Sequence, residues 1–446
     1  MFTRRSMLTV TAAATAWLAT AVRGASPAKP AAPSPFVRRA GTGFVLNGKP
    51  YRYVGANMWY GAYLGAPGAK GDRARLTREL DRLKAIGVTN LRLLASGEDG
   101  PLKHSVHPTF HGKDGPPNAD LLTGLDFLLA EMGKRGMTAV LYLTNFWEWS
   151  GGMMTYLSWV NDGRYMDAGD PDHPWPAFAN ATAEFYATPK AVALMQDWVR
   201  TVVGRTNSIT GKPYKDDPAI MAWQLCNEPR PGGDTATGQR LLSAYLAWAQ
   251  GTARLIKSLD PNHLVSIGSE GLKGALENAE IYKTLHAMPE FDYLTAHIWP
   301  QNWEWVDAQD LAGTSAKGLA LATDYVDKHV GFAKELGKPL VIEEFGWPRD
   351  GGGYDPVSST HSKDGYYRMI YTAVEASARS GGPLAGSNFW AWSGAGRAAH
   401  GDHEWRVGDP LLGDPPHEPQ GWYGVFDGDK TTIALIEEHA RALAAG

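Results

Sequence analysis

The stretch Ala222-Trp223-Gln224-Leu225-Cys226-Asn227-Glu228-Pro229 combines a strand pattern with a carboxylate at its end. The run from Ile220 to Leu225 is short and largely apolar, which is typical of a strand buried on both faces. Pro229 cannot donate to a ladder and favours extended geometry at the residue before it, so the predicted strand ends there. A carboxylate at the end of a buried strand is costly unless it is hydrogen-bonded or used in chemistry. Taken alone, Glu228 is explained equally well as a strand-end acid paired with an arginine.

A second stretch, Pro339-Leu340-Val341-Ile342-Glu343-Glu344-Phe345-Gly346, repeats the pattern of an apolar run that ends in carboxylates. The two stretches are far apart in the chain, so only the fold could bring them together. Two carboxylates across one cleft are what glycoside hydrolysis needs, since one protonates the leaving oxygen while the other attacks the sugar or activates water. Successive side chains of a strand point to opposite faces, so we expect only one of Glu343 and Glu344 to enter such a cleft.

Strand-like and helix-like patterns alternate from residue 36 onward. We predict eight strands, at Tyr51–Gly55, Asn90–Leu94, Thr138–Leu143, Ile220–Asn227, Leu264–Gly268, Tyr293–His297, Pro339–Glu344 and Gly386–Trp392. Apolar residues at helical spacing predict helices near Asp72–Ile86, Leu121–Arg135, Pro189–Arg205, Leu241–Leu259, Leu319–Leu336, Lys363–Arg379 and Ile433–Ala444. This alternation predicts an α/β fold, a (β/α)8 TIM barrel with long loops at the carboxyl ends of its strands. A doubly wound sheet is disfavoured, because no glycine-rich phosphate loop follows the first strand.

Composition excludes several classes of partner. The net charge of the 446-residue chain is −4 and its pI is about 6.4, so nothing favours nucleic acid or an anionic membrane. The single cysteine, Cys226, excludes an internal disulfide. His104, His107 and His111 have a spacing that could suggest a metal, but Pro108 interrupts any helix there. We expect no metal, no cofactor and a monomeric protein.

The first 25 residues have the pattern of an export signal. The run Thr3-Arg4-Arg5-Ser6-Met7-Leu8 places paired arginines before an uncharged segment that is too short to span a membrane. The pair resembles a twin-arginine signal, with a general secretory signal or an uncleaved anchor as alternatives. Residues 26–36 are rich in Pro and Ala and predict a linker, which leaves 37–446 as one domain. We therefore expect a secreted or periplasmic protein.

The predicted strands end in polar or aromatic residues, and the active site of a (β/α)8 barrel lies at the carboxyl ends of its strands. The residues concerned are Trp59, Arg92, Asn145, Trp147, Asn227, Glu228, His297, Trp299, Glu344 and Trp390, with Asn57 beside the first of them. Each has an ordinary structural explanation. Arg92 could neutralise a buried acid, and Trp390 could belong to the core. Their common position at strand ends nevertheless favours one binding site.

Three motifs resemble glycoside hydrolase family 5, and most closely its β-mannanase branch with the exo-acting β-mannosidase relatives. They are Trp223-Gln-Leu-Cys-Asn-Glu-Pro229, His297-Ile-Trp-Pro300 and Glu343-Glu-Phe-Gly346. Further matches are Gly55–Trp59, Asn90–Leu93, Thr144–Trp147, Gly151-Gly152 and Trp390, so the resemblance covers about residues 40–440.

The resemblance implies a retaining hydrolase of β-1,4-mannosidic bonds in mannan or mannooligosaccharides, of the mannan endo-1,4-β-mannosidase class. An exo-acting β-mannosidase that releases mannose from chain ends is the alternative. A β-1,4-glucanase and a non-catalytic carbohydrate-binding barrel are less favoured, because both carboxylates and their helper residues are present. The choice of mannose over glucose rests on the resemblance alone.

The resemblance also implies roles for the carboxylates. Glu228 would be the general acid/base and Glu344 the nucleophile, with their carboxyls about 5–5.5 Å apart. Glu228 would then need a raised pKa, which repulsion from an ionised Glu344 would supply.

Helper roles follow from the same resemblance. Arg92 would keep the nucleophile ionised, Asn227 would bond the sugar 2-hydroxyl, and Trp390 would form the stacking floor. His297 and Trp299 would orient the nucleophile and its sugar. The family often has Tyr at the position of Trp299, so this chain lacks one hydroxyl donor there.

Long segments follow three of the predicted strands, at residues 95–118, 299–314 and 393–423. The third is rich in Gly and Pro and follows the eighth strand, next to Trp390. It could close one end of the cleft, which would favour exo action, or it could be a solvated flap. Five of its charged residues are candidates for bonding a terminal sugar, namely Arg397, Asp402, Glu404, Arg406 and Asp409.

Overall fold

The computed structural model describes residues 34–445. The predicted export signal and most of the predicted linker lie outside this range. No helix within it is both long and apolar enough to cross a membrane.

Eight parallel strands form the central sheet. We number them first to eighth in chain order, and their bounds are Tyr53–Asn57, Val88–Leu94, Thr138–Tyr142, Ile220–Gln224, Leu264–Ser266, Leu294–Ile298, Leu340–Phe345 and Leu384–Phe389. Hydrogen-bonded neighbours run from the fifth strand back to the first and then from the eighth back to the sixth. This is the strand order of a barrel, so the predicted (β/α)8 fold is confirmed.

The seam between the fifth and sixth strands carries no regular ladder. Two backbone hydrogen bonds bridge it instead. The N–H of Asp292 donates to the carbonyl of Val265 (2.9 Å), and the N–H of His297 donates to that of Glu270 (3.0 Å). The barrel is therefore closed by isolated bonds at this one junction.

Helices surround the sheet and include all seven that the periodicity predicts. The α-helices of the described residues are Gly61–Gly65, Arg73–Ala85, Ala119–Lys134, Gly152–Val160, Ala177–Ala183, Pro189–Val203, Thr235–Leu259, Ala279–Ala287, Leu311–Leu336, His361–Ser380 and Lys430–Ala445. Two begin earlier than predicted because aspartates cap them. The side chain of Asp234 accepts from Thr237 N (2.8 Å) and that of Asp310 from Gly313 N (2.9 Å).

A helix between the fifth and sixth strands was absent from the sequence prediction. Ala279–Ala287 is only nine residues long, too short for a clear apolar period. The Asn278 side chain caps it by accepting from Glu280 N (2.9 Å) and Ile281 N (3.3 Å). An Asn before an acidic first turn was the available signal.

Four strands end before the residue predicted, most of all the fourth and the eighth. The fourth strand ends at Gln224, and the chain then continues irregularly while still pairing with the fifth-strand segment. Leu225 N donates to Ser266 O (3.0 Å), and Glu228 N donates to Gly268 O (2.9 Å). The eighth strand ends at Phe389.

A three-stranded antiparallel sheet, Arg38–Ala40, Gly43–Leu46 and Lys49–Tyr51, covers the amino end of the barrel. Tyr51 belongs to this sheet and not to the first barrel strand, where it was predicted. Phe44 is 2 % exposed and packs edge-to-face on Tyr293, with ring centroids 5.5 Å apart. Burial of one such side chain contributes about 1.5–3 kcal/mol. The amino end is thus sealed by apolar packing, opposite the strand ends that carry the polar residues.

Candidate active site

A cavity of about 880 Å³ lies at the carboxyl end of the barrel. Its volume falls in the range of small-molecule sites. Six of the ten residues predicted for the site line it, namely Trp147, Asn227, Glu228, Trp299, Glu344 and Trp390. The eight-stranded ring therefore brings the two carboxylate stretches to one opening.

Glu228 stands where the fourth strand has become irregular, and its backbone has a positive φ of 52°. Such a conformation is costly for a residue with a side chain and is usually retained where it directs a functional group. The carboxylate is 6 % exposed. It accepts hydrogen bonds from His297 Nδ1 (2.6 Å), Trp147 Nε1 (2.6 Å) and Trp299 Nε1 (3.2 Å). Three N–H donors therefore fix its orientation.

Glu344 lies in the seventh strand and is 2 % exposed. One of its oxygens accepts from the Arg92 guanidinium, and the other lies 3.3 Å from His297 Nδ1. An oxygen of Glu344 and an oxygen of Glu228 lie within 4.8 Å of each other and of a His297 nitrogen. This short spacing matches retaining glycosidases better than inverting ones, whose carboxyls are about 6.5–9.5 Å apart.

Of the two adjacent glutamates, only Glu344 lines the cavity, as predicted, but the reason is not simple alternation. The pairing of the seventh and sixth strands shifts register between Ile342 and Glu344. This irregularity breaks the period of two. Glu343 accordingly also faces the barrel interior, where its carboxylate accepts from Gln224 Nε2 (2.6 Å) and Tyr293 OH (3.1 Å). Glu343 therefore holds Gln224 and Tyr293 in the barrel interior and does not line the cavity.

Arg92 connects the strand ends. Its guanidinium donates to Gln224 Oε1 (2.8 Å), Asn57 Oδ1 (3.2 Å), Asn227 Oδ1 (2.7 Å) and a Glu344 oxygen. The side chain is fully buried, so these partners and the nearby carboxylates offset the cost of burying its charge. Burial lowers the pKa of Arg92, but the charges of Glu344 and Glu343 outweigh this effect, so the pKa lies above its usual value. Arg92 thus holds a fixed positive charge beside Glu344.

His297 corrects the expectation that Glu228 has a raised pKa. Burial does raise the pKa of Glu228, but the hydrogen bond and charge of His297, the charge of Arg230 and the Trp147 hydrogen bond outweigh it, giving about 2. Conversely, burial lowers the pKa of His297, while Glu344 and the hydrogen bond to Glu228 raise it well above its usual value. Both shifts favour a protonated imidazole beside an ionised Glu228.

Trp299 was expected to orient the nucleophile, and the structure places it elsewhere. Its indole N–H donates to Glu228, and no contact with the Glu344 carboxylate replaces the hydroxyl that a Tyr would offer. The ring stands edge-on to Trp390, with centroids 5.8 Å apart. Trp299 thus supports the Glu228 side of the site.

Trp59 and Asn145 do not line the cavity. Trp59 is fully buried, and its indole N–H donates to Gly413 O (2.8 Å). The side-chain oxygen Oδ1 of Asn145 accepts from Asn227 Nδ2 (3.1 Å), so Asn145 holds Asn227 in place. Trp59 was predicted to bind or support the substrate, and its burial and its hydrogen bond to the loop after the eighth strand favour the supporting role. Asn145 acts through Asn227, which lines the cavity.

Polar residues that the sequence reasoning missed form the two ends of the cavity. At the Glu228 end, the Arg230 guanidinium donates to Glu270, and Glu270 also accepts from Trp303 Nε1 (3.2 Å). At the Trp390 end stand His417 and Glu418. Arg230 directly follows the Asn-Glu-Pro motif and was available as a signal. The other residues lie on loops without a periodic pattern.

The long segment after the eighth strand contributes to the cavity, but through different residues from those expected. Its exposed charges pair among themselves or with Asp427. Arg397 bonds Asp427 (2.7 Å) and Arg406 bonds Asp402 (2.6 Å). None of the five predicted sugar-binding charges lines the cavity, because they lie at the outer part of the loop. The stretch 412–418, which is buried except for His417, forms the wall instead.

One group of three potential metal ligands occurs among residues 34–445, and it consists of Glu228, His297 and Glu344. The adjacent Arg92 guanidinium and the charged imidazole oppose a cation at this position. His111, from the histidine-rich segment, stacks on Trp198 with ring centroids 4.1 Å apart, which is a packing role. The donor set fits hydrogen-bonded acid–base chemistry better than metal binding.

Comparisons with known proteins agree with this geometry. The model of the family "GH family 5 beta-mannosidase-like" matches residues 34–445. Mannan endo-1,4-beta-mannosidase 1 of Oryza sativa subsp. japonica is 31% identical over 373 residues, which are 80% of this chain and 78% of the relative.

Solved structures give the same assignment. A glycoside hydrolase family 5 mannosidase from Rhizomucor miehei superposes with a TM-score of 0.84 at 35% identity and covers 92% of this chain and 98% of its own. A variant of that mannosidase has been solved in complex with mannosyl-fructose, at 34% identity, a TM-score of 0.84 and the same coverage of both chains.

Proposed function

Because the chain belongs to glycoside hydrolase family 5, in its β-mannosidase-like group, we propose that it hydrolyses β-1,4-mannosidic bonds with retention of configuration. The chain is a glycosidase, and the substrates are β-mannan or mannooligosaccharides. Mannan endo-1,4-beta-mannosidase 1 of rice carries this substrate in its name. The related Rhizomucor miehei mannosidase accommodates mannosyl-fructose.

The observation that carries the proposal is the pair of buried carboxylates, Glu228 and Glu344, with oxygens within 4.8 Å at the floor of the cavity. Glu344 acts as the nucleophile, since Arg92 holds one oxygen and leaves the other toward the sugar. Glu228 acts as the general acid/base, since its hydrogen-bond donors fix it on the opposite side of the same opening. Asn227 and Trp390, which also line the cavity, hold the sugar.

His297 supplies the proton. Movement of the proton along the Nδ1–Oε1 hydrogen bond of 2.6 Å leaves a neutral imidazole and a protonated Glu228. That proton passes to the glycosidic oxygen as the carbon–oxygen bond breaks and a Glu344–carbon bond forms. Glu228, now ionised, then deprotonates the water that hydrolyses the covalent intermediate. The Glu344–carbon bond breaks as water attacks, and the proton returns from Glu228 to His297 along the same hydrogen bond, which restores the starting state.

Two modes of attack are candidates. The name of the curated rice relative favours internal cleavage, in the mannan endo-1,4-β-mannosidase class. The wall of His417 and Glu418 at the Trp390 end of the cavity favours exo action, because an internal cut needs space for sugars at both ends.

A digest of mannohexaose tests the function. We expect hydrolysis with products of retained β configuration in the first turnovers, as read by proton NMR. Glu228→Ala and Glu344→Ala should each lower kcat/KM by about 10²- to 10⁴-fold. Glu304→Gln, at the exposed rim of the same cavity, is the matched control and should retain activity. Inverted product, or no loss in either variant, contradicts the proposal.

We also propose that the enzyme acts after export. The support is the paired-arginine segment at the start of the sequence, and conversion of Arg4 and Arg5 to lysine should retain the protein inside the producing cell.

A further inference from the structure

A second cavity, of about 730 Å³, lies outside the catalytic one. It is formed by the segment after the second strand, the end of the helix Gly152–Val160 and the residues that follow that helix. Lys190, from the first turn of the helix Pro189–Val203, completes its rim. Its volume falls in the range of small-molecule sites. No residue lines both cavities, so the hydrolytic chemistry leaves the second cavity without a role.

Trp159 is the one aromatic residue in the lining of the second cavity among residues 34–445. Its side chain is half-buried, and its indole N–H donates to the backbone carbonyl of Asp99 (3.0 Å). Tyr156 and His111 pack edge-on to the ring, with centroids 5.0 Å and 5.6 Å away. These contacts fix the orientation of the indole, and no aromatic ring of the described chain stacks flat on it. A ring held in this way binds a flat apolar surface at a low cost in side-chain entropy.

Four charged side chains line the second cavity together with Trp159. Asp99 and Asp162 are hydrogen-bond acceptors, and Lys113 and Lys190 are donors. All four are exposed, and within residues 34–445 none of their charged groups forms a hydrogen bond or an ion pair. The two signs cancel, so the cavity favours neither an anionic nor a cationic ligand. A neutral ligand with many hydroxyls fits, because each hydroxyl can donate to a carboxylate and accept from an ammonium group.

The second cavity is a neighbour of the catalytic one. Pro101 lines the second cavity and His104 lines the catalytic one, so their Cα atoms lie at most about 11 Å apart. Between them, the N–H of Lys103 donates to the Asp167 side chain (3.1 Å), which ties this segment to the residues after the helix. A long ligand bound in the second cavity is therefore held near the catalytic opening.

We propose that the second cavity binds a stretch of mannan polymer on Trp159 and so holds the enzyme on its substrate. The identity of the sugar rests on the proposed function. A pyranose ring offers an apolar face to the indole and hydroxyls at its edge to the four charged side chains. The second cavity performs no chemistry. It raises the effective concentration of polymer at the catalytic cavity, whereas a substrate that fills the catalytic cavity alone gains nothing from it.

The test measures binding of polymer and turnover of a small substrate separately. Affinity electrophoresis in gels that contain soluble galactomannan uses the Glu344→Ala variant as the parent, because it does not digest the gel. Adding Trp159→Ala should weaken binding by about 5- to 30-fold, the usual effect of truncating an aromatic anchor. In the active enzyme, Trp159→Ala should keep kcat/KM on 4-nitrophenyl β-D-mannoside within about 2-fold of the wild type. Tyr165→Ala, a ring 46% exposed that lines neither cavity, is the matched control and should change neither quantity.

The outcomes separate the inference from the function beneath it. Equal retardation of the parent and of its Trp159→Ala variant overturns the second site and leaves the mannosidase function standing. A wild type that hydrolyses no β-mannoside overturns the proposed function, whatever the gels show. Stronger retardation by polygalacturonate than by galactomannan contradicts a site for a neutral polymer.

A second variant covers the packing role of Trp159. If calorimetry shows that Trp159→Ala is unstable, the same criterion applies to Lys113→Ala combined with Lys190→Ala. Both lysine side chains are exposed, so their removal should leave the melting temperature unchanged. This double variant should also bind galactomannan more weakly than the parent, and unchanged binding overturns the proposal.

Discussion

At the residue scale, the position of one proton is the central feature of the site. His297 Nδ1 lies 2.6 Å from Glu228 and 3.3 Å from Glu344. An imidazolium hydrogen-bonded to Glu228 stabilises that carboxylate as its anion and lowers its pKa. The lowered pKa of Glu228 and the raised pKa of His297 place the shared proton on the imidazole side of the pair, and we expect His297 and Glu228 to titrate as a unit.

The basic limb of the pH–rate profile should report this pair. The pKa of His297 is raised well above 6.5, so the wild type keeps the shared proton to pH values above neutral and loses it as pH rises through that pKa. In His297→Asn the proton must sit on Glu228 alone. We expect the basic limb of kcat/KM to move to lower pH, measured on an activated aryl mannoside. If the basic limb of His297→Asn lies at the same pH as that of the wild type, His297 does not hold the shared proton.

Glu228→Gln should separate the acid role from binding. A dinitrophenolate leaves without protonation, whereas a sugar alkoxide does not. The variant should lose about 10²- to 10⁴-fold in kcat on mannotriose and retain a much larger share on 2,4-dinitrophenyl β-mannoside in the first half-reaction. Presteady-state release of dinitrophenol measures this. Equal losses on both substrates would argue that Glu228 does not act as the acid.

At the element scale, the irregularity of the seventh strand explains how two adjacent glutamates share one interior. The sequence predicts the strand and its carboxylates from local pattern, but the register shift between Ile342 and Glu344 depends on pairing with the sixth strand. Helices of three or more turns were predicted for a similar reason, since their apolar period is local. The wall residue Glu418 was not predicted, because nothing in a Pro-rich loop indicates which residue turns inward.

Asp414 should be the stability determinant of that loop. The Asp414 carboxylate accepts from the backbone N–H groups of Gly421, Tyr423 and Gly424. Asn offers one acceptor oxygen in place of two, so at least one of these three N–H groups would be unpaired in Asp414→Asn. An unsatisfied buried N–H costs about 1–3 kcal/mol. We expect Asp414→Asn to lower the melting temperature by several degrees and to raise KM for mannooligosaccharides. Asp402→Asn, half exposed on the same loop, is the control and should change the free energy of unfolding by less than about 0.5 kcal/mol.

At the scale of the whole molecule, the barrel has one sealed end and one reactive end. The segment before the first barrel strand contributes to the seal, because Val37 is 1 % exposed. The Phe36 ring packs edge-on to His263, with centroids 5.1 Å apart. We therefore expect that removing Phe36 and Val37 lowers the stability of the barrel.

Truncation should therefore have a sharp threshold. A chain that begins at residue 34 keeps both contacts and should melt at the temperature of the full-length protein. A chain that begins at Arg38 loses Phe36 and Val37 and should be less stable by about 2–5 kcal/mol, the usual cost of removing large apolar side chains from a core. Differential scanning calorimetry measures both. Identical melting curves would show that this segment does not contribute to the seal.

The seam between the fifth and sixth strands has a consequence for motion. Val265 and Glu270 each accept one backbone bond across it, whereas the first and second strands share four paired positions. Opening free energy varies along a fold with the density of such bonds. Amide hydrogens of the fifth strand should exchange with deuterium faster than those of the second, as measured by mass spectrometry. Glu270 and His297 flank this seam and His297 bonds Glu228, so we expect the side of the barrel beside the general acid to open most easily and to release the product.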